Sequence, residues 1–137
     1  MARIENFVYC LGVNKNNGNT DILGILSTMQ PAYVPGLYSF HVNFSIKNLT
    51  DGEHIFSLQF KDTKGILVAE IKNGKLMYKY NQELETSLPR EYSGLNVTAN
   101  MQNVNLKENG LYTMTLILDN KEMGQFDIFV HGLNTEK

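Results

Sequence analysis

The stretch LKENGLYTMTLILDNKEMGQFDIFV, Leu106–Val130, decides the fold class. Tyr112, Met114, Leu116 and Leu118 fall at every second position, as do Gly124, Phe126, Ile128 and Val130. Alternation of period two puts each set on one face of a strand, so the stretch reads as a hairpin with a dry side and a wet side. Residues opposite one another in a hairpin share a side, so the two apolar rows have to be aligned. A two-residue turn at Asn120–Lys121 would pair Leu118 with Met123 and set the rows on opposite faces. An odd-numbered loop, pairing Leu118 with Glu122 or Ile117 with Met123, aligns them. Burial of both rows therefore predicts the odd loop over the tightest turn.

The same alternation runs outward through the chain. Strand candidates are Ile4–Val13, Thr20–Met29, Leu37–Asn48, His54–Lys61, Ile66–Lys72, Lys75–Tyr80, Leu95–Asn105, Leu111–Leu118 and Met123–Val130. The clearest is Leu37–Asn48, with Tyr38, Phe40, Val42, Phe44 and Ile46 on one face and Ser39, His41, Asn43, Ser45 and Lys47 on the other. Phe56, Leu58 and Phe60 repeat the pattern. Between strands lie Asn14–Asn19, Thr50–Glu53, Asp62–Gly65 and Asn73–Gly74, rich in residues that tolerate positive φ and hence in turn signals. This spacing predicts an antiparallel β-sandwich of seven to nine strands. Asn81–Gly94 is the exception and fits a single short helix or a long crossover.

At 137 residues the chain fits a single domain, residues 1–137, and a chain of this size buries roughly two-thirds of its extended surface. Hydrophobic residues at 42% and charged residues at 19% describe an ordinary globular composition. A formal net charge of −2 with scattered Lys and Arg excludes the clustered basic surface that nucleic acid requires. A lone Cys10 rules out an internal disulfide and suits a reducing compartment. The opening MARIENFVYCLGV is too polar for a signal peptide, and no apolar run approaches a membrane span. A cytoplasmic protein without membrane contact is the expectation, with the sequons at Asn43, Asn48 and Asn96 as accidents of an Asn-rich composition.

The spacing Gly110–Leu111–Tyr112 in ENGLYTM resembles the tyrosine corner of immunoglobulin-like sandwiches. The resemblance implies that the Tyr112 hydroxyl bonds back to the preceding crossover and tethers it between the two sheets. Met114 stands where that pattern carries a core cysteine, and the chain has no Trp, so an antibody-type domain is excluded and an immunoglobulin-like sandwich without disulfide remains. The competing reading makes Tyr112 one more inward aromatic. From ARIENFVYCLGV through TDILGILSTM to the closing LKENGLYTMTLILDNKEMGQFDIFV, the chain resembles a family of small uncharacterised bacterial proteins, a domain of unknown function. That resemblance implies the fold and a bacterial or phage source, with no activity attached.

Catalytic chemistry finds little purchase. Cys10 would serve as a nucleophile beside a histidine, but no local signature surrounds it, and a small buried apolar role fits better. His41 lies on a wet strand face, His54 at a turn edge and His131 near the C-terminal end, without ligand spacing to one another or to Cys10. Asp119, Glu122 and Asp127 read as solvated carboxylates. No catalytic residue, metal site, cofactor or small-molecule substrate is expected. The segment MQPAYVPGLY, Met29–Tyr38, is apolar for a connection and stiffened by two prolines, which makes Tyr33, Val34 and Leu37 candidate protein-contact residues. The alternative is a lid over the open end of the core. The first hairpin, Ile4–Val13 with Thr20–Met29, carries Ile4, Val8 and Cys10 on one face and Phe7, Tyr9, Leu11 and Val13 on the other. At a sheet edge, such a hairpin would need a partner or a second copy to cover its outer face. The expectation is a non-enzymatic protein-interaction module that binds a partner or itself, as a homodimer. The alternatives are a phage accessory protein docking on a host protein and an enzyme built on Cys10.

Overall fold

Strands form where apolar residues alternate, and the chain turns at residues that tolerate positive φ: Asn48, Asp119, Asn120, Gly18 and Gly65 among them. The computed structural model describes residues 1–16, 18–80 and 88–135. Its strands are β1 (Arg3–Asn16), β2 (Asn19–Leu26), β3 (Thr28–Met29), β4 (Gly36–Lys47), β5 (Gly52–Lys61), β6 (Leu67–Tyr78), β7 (Gly94–Leu106), β8 (Gly110–Leu118) and β9 (Lys121–Val130). Arg90–Tyr92 and Leu133–Thr135 form single 3₁₀ turns. Part of the segment expected as a short helix, residues 81–87, lies outside the described residues.

The strands make two sheets, β2-β1-β4-β7 and β3-β9-β8-β5-β6. Phe40, Val42, Phe44 and Ile46 of β4 and Leu58, Phe60, Tyr112, Met114 and Leu116 of the facing sheet are all fully buried and form the core between the layers. Without β2 and β3, the order is β1-β4-β7 against β9-β8-β5-β6. This is the arrangement of an immunoglobulin-like sandwich, in which the strand that follows the crossover begins at the tyrosine corner. The short β3 joins β9 in parallel, and every other pairing is antiparallel.

Four local expectations are corrected. Asn73–Gly74 is not a turn: β6 runs through it, and Lys72 and Asn73 face the single Ser57 in a bulge. A β-carbon at Gly74 would overlap the Phe56 ring opposite it, so glycine fits there with least disturbance. Thr20–Met29 is not one strand: it breaks at Ser27, after which Thr28–Met29 crosses to the other sheet. In β1, Asn6 at φ 57° adds a residue and shifts the register between Glu5 and Val8. Ile4 therefore faces inward opposite Ile46, on the side of Tyr9 opposite Val42, and not on the side of Val8 and Cys10.

The fourth concerns the β8–β9 hairpin. Asp119 and Asn120, both at positive φ, make a two-residue turn closed by Leu118 and Lys121. The rows are nonetheless aligned, with Tyr112 opposite Ile128, Met114 opposite Phe126 and Leu116 opposite Gly124. Met123 is the extra residue that reconciles the two, a bulge between Glu122 and Gly124. Burial prevailed, as did the tight turn.

Candidate interaction surface

Three polar constellations among the described residues bear on the candidate site, and exposed apolar side chains at the β1–β2 hairpin lie outside them. The first constellation is the corner. Tyr112 is fully buried, and its hydroxyl donates to Glu108 O at 2.8 Å across the turn that carries β7 into the second sheet. Gly110 sits at φ +139°, and a β-carbon there would overlap Thr63 Cγ2. Thr63 in turn donates to the Glu108 carboxylate. Burial is the main cause that pushes the Tyr112 phenol above its ordinary range, so it remains a donor. Met114 is fully buried in the core beside it.

The second constellation joins β5 to the β8–β9 turn. His54, expected at a solvated turn edge, is buried at 6% exposure. Its Nδ1 lies 2.7 Å from Asp119 Oδ2 and its Nε2 2.7 Å from Thr50 O. Both partners are acceptors, an arrangement that favours protons on both ring nitrogens. Burial opposes that charge, yet the hydrogen bonds to Asp119 and Thr50 outweigh it, and the His54 pKa lies above its usual value. Asp119, expected as a solvated loop carboxylate, also accepts from Ile55 N at 2.9 Å. Partial burial raises its pKa, but the bonds from His54 and Ile55 prevail and hold it below the usual carboxylate range. Asp127 goes elsewhere, accepting from Thr113 at 2.7 Å, so the carboxylates of this hairpin do not converge.

The third lies on the outer face of the first sheet. Asn43 Nδ2 donates to Asn96 Oδ1 at 2.9 Å and to Thr98 Oγ1 at 2.8 Å, and Asn96 Nδ2 returns a bond to Asn43 Oδ1 at 3.1 Å. Asn43 is only 5% exposed although its row faces away from the core. Thr20, near the tip of the β1–β2 hairpin, donates to Asn96 on β7 at 3.2 Å, two strands beyond β1. The hairpin thus turns back across the outer face. That also accounts for Cys10, which is fully buried and paired in register with His41 of β4. Sequence spacing concealed this neighbour, since only the strand pairing brings the two residues together. The chemistry is nonetheless quiet. Burial raises the Cys10 thiol pKa, which keeps it neutral, and His41 Nδ1 has no hydrogen-bond partner among the described residues. No group of three His, Cys, Asp or Glu able to hold a metal occurs among the described residues.

The apolar surface begins where β1 leaves β4. That ladder ends at Cys10 and His41, while β1 and β2 stay paired to Asn16 and Asn19. Beyond Cys10, Leu11 is 54% exposed on the side of Tyr9, whereas Leu23 at 47% and Ile25 at 67% lie on the side of Cys10. β2 is the outermost strand of its sheet. A groove between it and β9 mixes apolar lining, Phe7, Tyr9, Ile25, Leu26 and Phe126, with polar lining from Ser27, Gln125 and Asp127. Tyr9 donates to Phe126 O at 2.6 Å, and the Phe7 and Phe126 rings stack at 4.0 Å, which seals the sandwich beneath the groove.

The loop before β4 lies toward the same end, because β1 runs antiparallel to β4. Tyr33 at 69% and Leu37 at 66% exposure project from it. Val34 does not: at 7% exposure it is part of the core, and Asn134 brackets its backbone N–H and C=O at 3.0 and 3.3 Å. His131 N to Met29 O and Leu133 N to Pro31 O, each 2.9 Å, fasten the same loop to the C-terminal segment. The loop is both a lid, through Val34, and a projection, through Tyr33 and Leu37.

The chain belongs to a family of unknown function, DUF6941, whose model matches residues 5–131. Among curated proteins, none matches the chain. Among solved structures it is similar to part of a β-glucosidase from Listeria innocua in complex with glucose, at 13% identity and a TM-score of 0.52, covering 96% of this chain and 16% of that one. It is likewise similar to part of the alkylpurine DNA glycosylase AlkC of Pseudomonas fluorescens bound to DNA containing an abasic site analogue, at 5% identity and TM-score 0.50, covering 95% of this chain and 30% of that one. An immunoglobulin-like protein from Pseudomonas aeruginosa aligns over 96% of this chain and 97% of its own, at 10% identity and TM-score 0.42. The chain thus spans less than a third of the two enzymes, and these likenesses describe the fold. No helix among the described residues is long and apolar enough to cross a membrane.

Proposed function

We propose that this chain is a non-enzymatic interaction module that engages a protein through the β1–β2 hairpin, with Tyr33 and Leu37 extending the contact. The observation that carries the reading is the hairpin itself, apolar on both sides and exposed at Leu11 of β1 and at Leu23 and Ile25 of the edge strand β2. Isolated exposed apolar residues are ordinary, but a group gathered on an edge strand is what strand-addition partners use. The neutral thiol of Cys10 and the fully engaged His54 and Asp119 support a binding role over a catalytic one.

The test is affinity capture from the organism that encodes the gene, with the wild-type chain and an Ile25→Asp variant immobilised side by side. The reading expects a retained protein that the variant loses while keeping its wild-type melting temperature. Equal retention by both overturns the assignment of the surface. A Tyr33→Ala, Leu37→Ser double variant that captures as well as wild type would reduce the loop to a lid.

A further inference from the structure

The interaction surface proposed above has an edge strand at its centre, and that strand is complementary to itself. β2 reads Asn19-Thr20-Asp21-Ile22-Leu23-Gly24-Ile25-Leu26. Folded about Gly24, it places Ile22 against Leu26 and Leu23 against Ile25, so apolar residues meet apolar residues on both faces. Asp21, the single ionisable residue of the strand, then falls opposite Ser27, the bend at which β2 ends. An axis one residue earlier would set Asp21 against Ile25, and one residue later would set Leu23 against Ser27. Axes between residues are excluded, because directly opposite residues in an antiparallel pair share a face.

We infer that two copies of this chain pair β2 against β2, antiparallel, about a two-fold axis at Gly24. The inference rests on the interaction reading and names its partner. Three observations support a second copy over a foreign strand. The occupant has to be apolar on both faces over the stretch from Ile22 to Leu26, which β2 is. Gly24, on the axis, carries no side chain, and at φ +64° with Leu11 Cδ1 3.0 Å from the position of a β-carbon it does not readily accept one. The other free edges are guarded or covered, whereas β2 is uncovered and carries no lysine or proline, its irregularities being Asp21 and the positive φ of Gly24. β6 bears Lys72 and Lys75 around its bulge, β7 packs against β6, and β9 is capped by β3 and by the Tyr9 hydroxyl. The product is a closed, isologous pair in which the β2-β1-β4-β7 sheets of both protomers join into one.

Light scattering coupled to size exclusion, at about 100 µM to sit well above a micromolar dissociation constant, should give a mass near twice the 15.5 kDa of the chain. The register gives a sharper readout. Leu23→Lys and Ile25→Glu should each yield the monomer mass, because a charge then faces an apolar residue at two symmetric places. The double variant should return to the dimer, since the lysine introduced in each copy then faces the glutamate introduced in the other. Both positions are exposed, so the fold should survive. Independently of any variant, amides of residues 20–26 should gain hydrogen-exchange protection as wild-type concentration rises from about 1 to 100 µM. A wild-type monomer with concentration-independent exchange, single variants that remain dimeric, or a double variant that stays monomeric overturns the proposal. A monomer that still captures a protein lost by Ile25→Asp would overturn the dimer and leave the interaction module standing.

Discussion

Replacing Tyr112 by Phe isolates the corner. The ring keeps its place, stacked on Phe60 with centroids 5.5 Å apart at 28°, and the exchange removes a single oxygen. That oxygen donates to Glu108 O at 2.8 Å and receives a longer bond from Glu108 N at 3.4 Å. The carbonyl it leaves behind is part-buried in the turn between the sheets, where Thr63 and Gly110 hold the backbone. A buried acceptor deprived of its partner costs about 1–2 kcal/mol. With a urea m-value of about 2 kcal/mol per molar for a domain of this size, the denaturation midpoint should fall by roughly 0.5–1 M. The melting temperature should drop by about 3–6 °C. Fluorescence-monitored urea unfolding, with the slope checked for constancy, measures the first; calorimetry measures the second. A midpoint equal to wild type at unchanged slope would refute the reasoning, because it would mean that the hydroxyl contributes nothing and that Tyr112 serves as an apolar ring alone.

The His54–Asp119 pair gives a pH signature. The raised His54 pKa makes its stabilisation complete below the ordinary histidine value and lost as pH rises through the folded-state value; the lowered Asp119 pKa makes its share complete above the ordinary carboxylate value and lost on acidification. Wild-type stability should therefore decline as pH rises above about 6.5, the ordinary histidine value. Asp119→Asn should flatten that decline, and an identical slope in the variant would show that the pair does not couple to folding. Cys10, fully buried and with its pKa raised, should react with an aromatic disulfide reagent only after denaturation; rapid native-state labelling would contradict its burial beneath the hairpin. Gly74→Ala should cost about 1–3 kcal/mol because the Phe56 ring has to move, and an unperturbed melting temperature would show that β6 gives way freely at its bulge.

The core rows were legible because alternation is enforced by burial on every strand. Tyr38 to Ile46 and Phe56 to Phe60 read from the sequence as they stand in the sheets. Bulges were not legible. A single asparagine at positive φ, Asn6 or Asn73, moves the alternation by one, and the sequence marks such a residue no differently from a turn. Asn73–Gly74 is the turn dipeptide by composition, yet β6 uses it at a bulge, with Gly74 against the Phe56 ring of the neighbouring strand. The site residues divide for a similar reason. Tyr33 and Leu37 project, but Val34 between them turns inward because Asn134, far along the chain, holds its backbone. Cys10 and His41, and His54 and Asp119, meet through strand registers that no local pattern encodes.

The proposed interaction surface differs from the frame of the sandwich in how it is tied. The plain sandwich, β1-β4-β7 against β9-β8-β5-β6, has its corner bonded, its open side sealed by the Phe7–Phe126 stack, and its wet face knit by Asn43, Asn96 and Thr98. Each of those devices removes an unmet donor or an uncovered ring from the frame. The long continuation of β1 into β2 does the reverse: it reaches past the last rung of the β1–β4 ladder and brings Leu11, Leu23 and Ile25 into solvent. At about 25 cal/mol for each Å² of apolar surface, keeping such a group wet forgoes stabilisation that a shorter turn between β1 and β3 would not. On the interaction reading proposed above, a hairpin built at that cost is where a second protein surface gains most by docking.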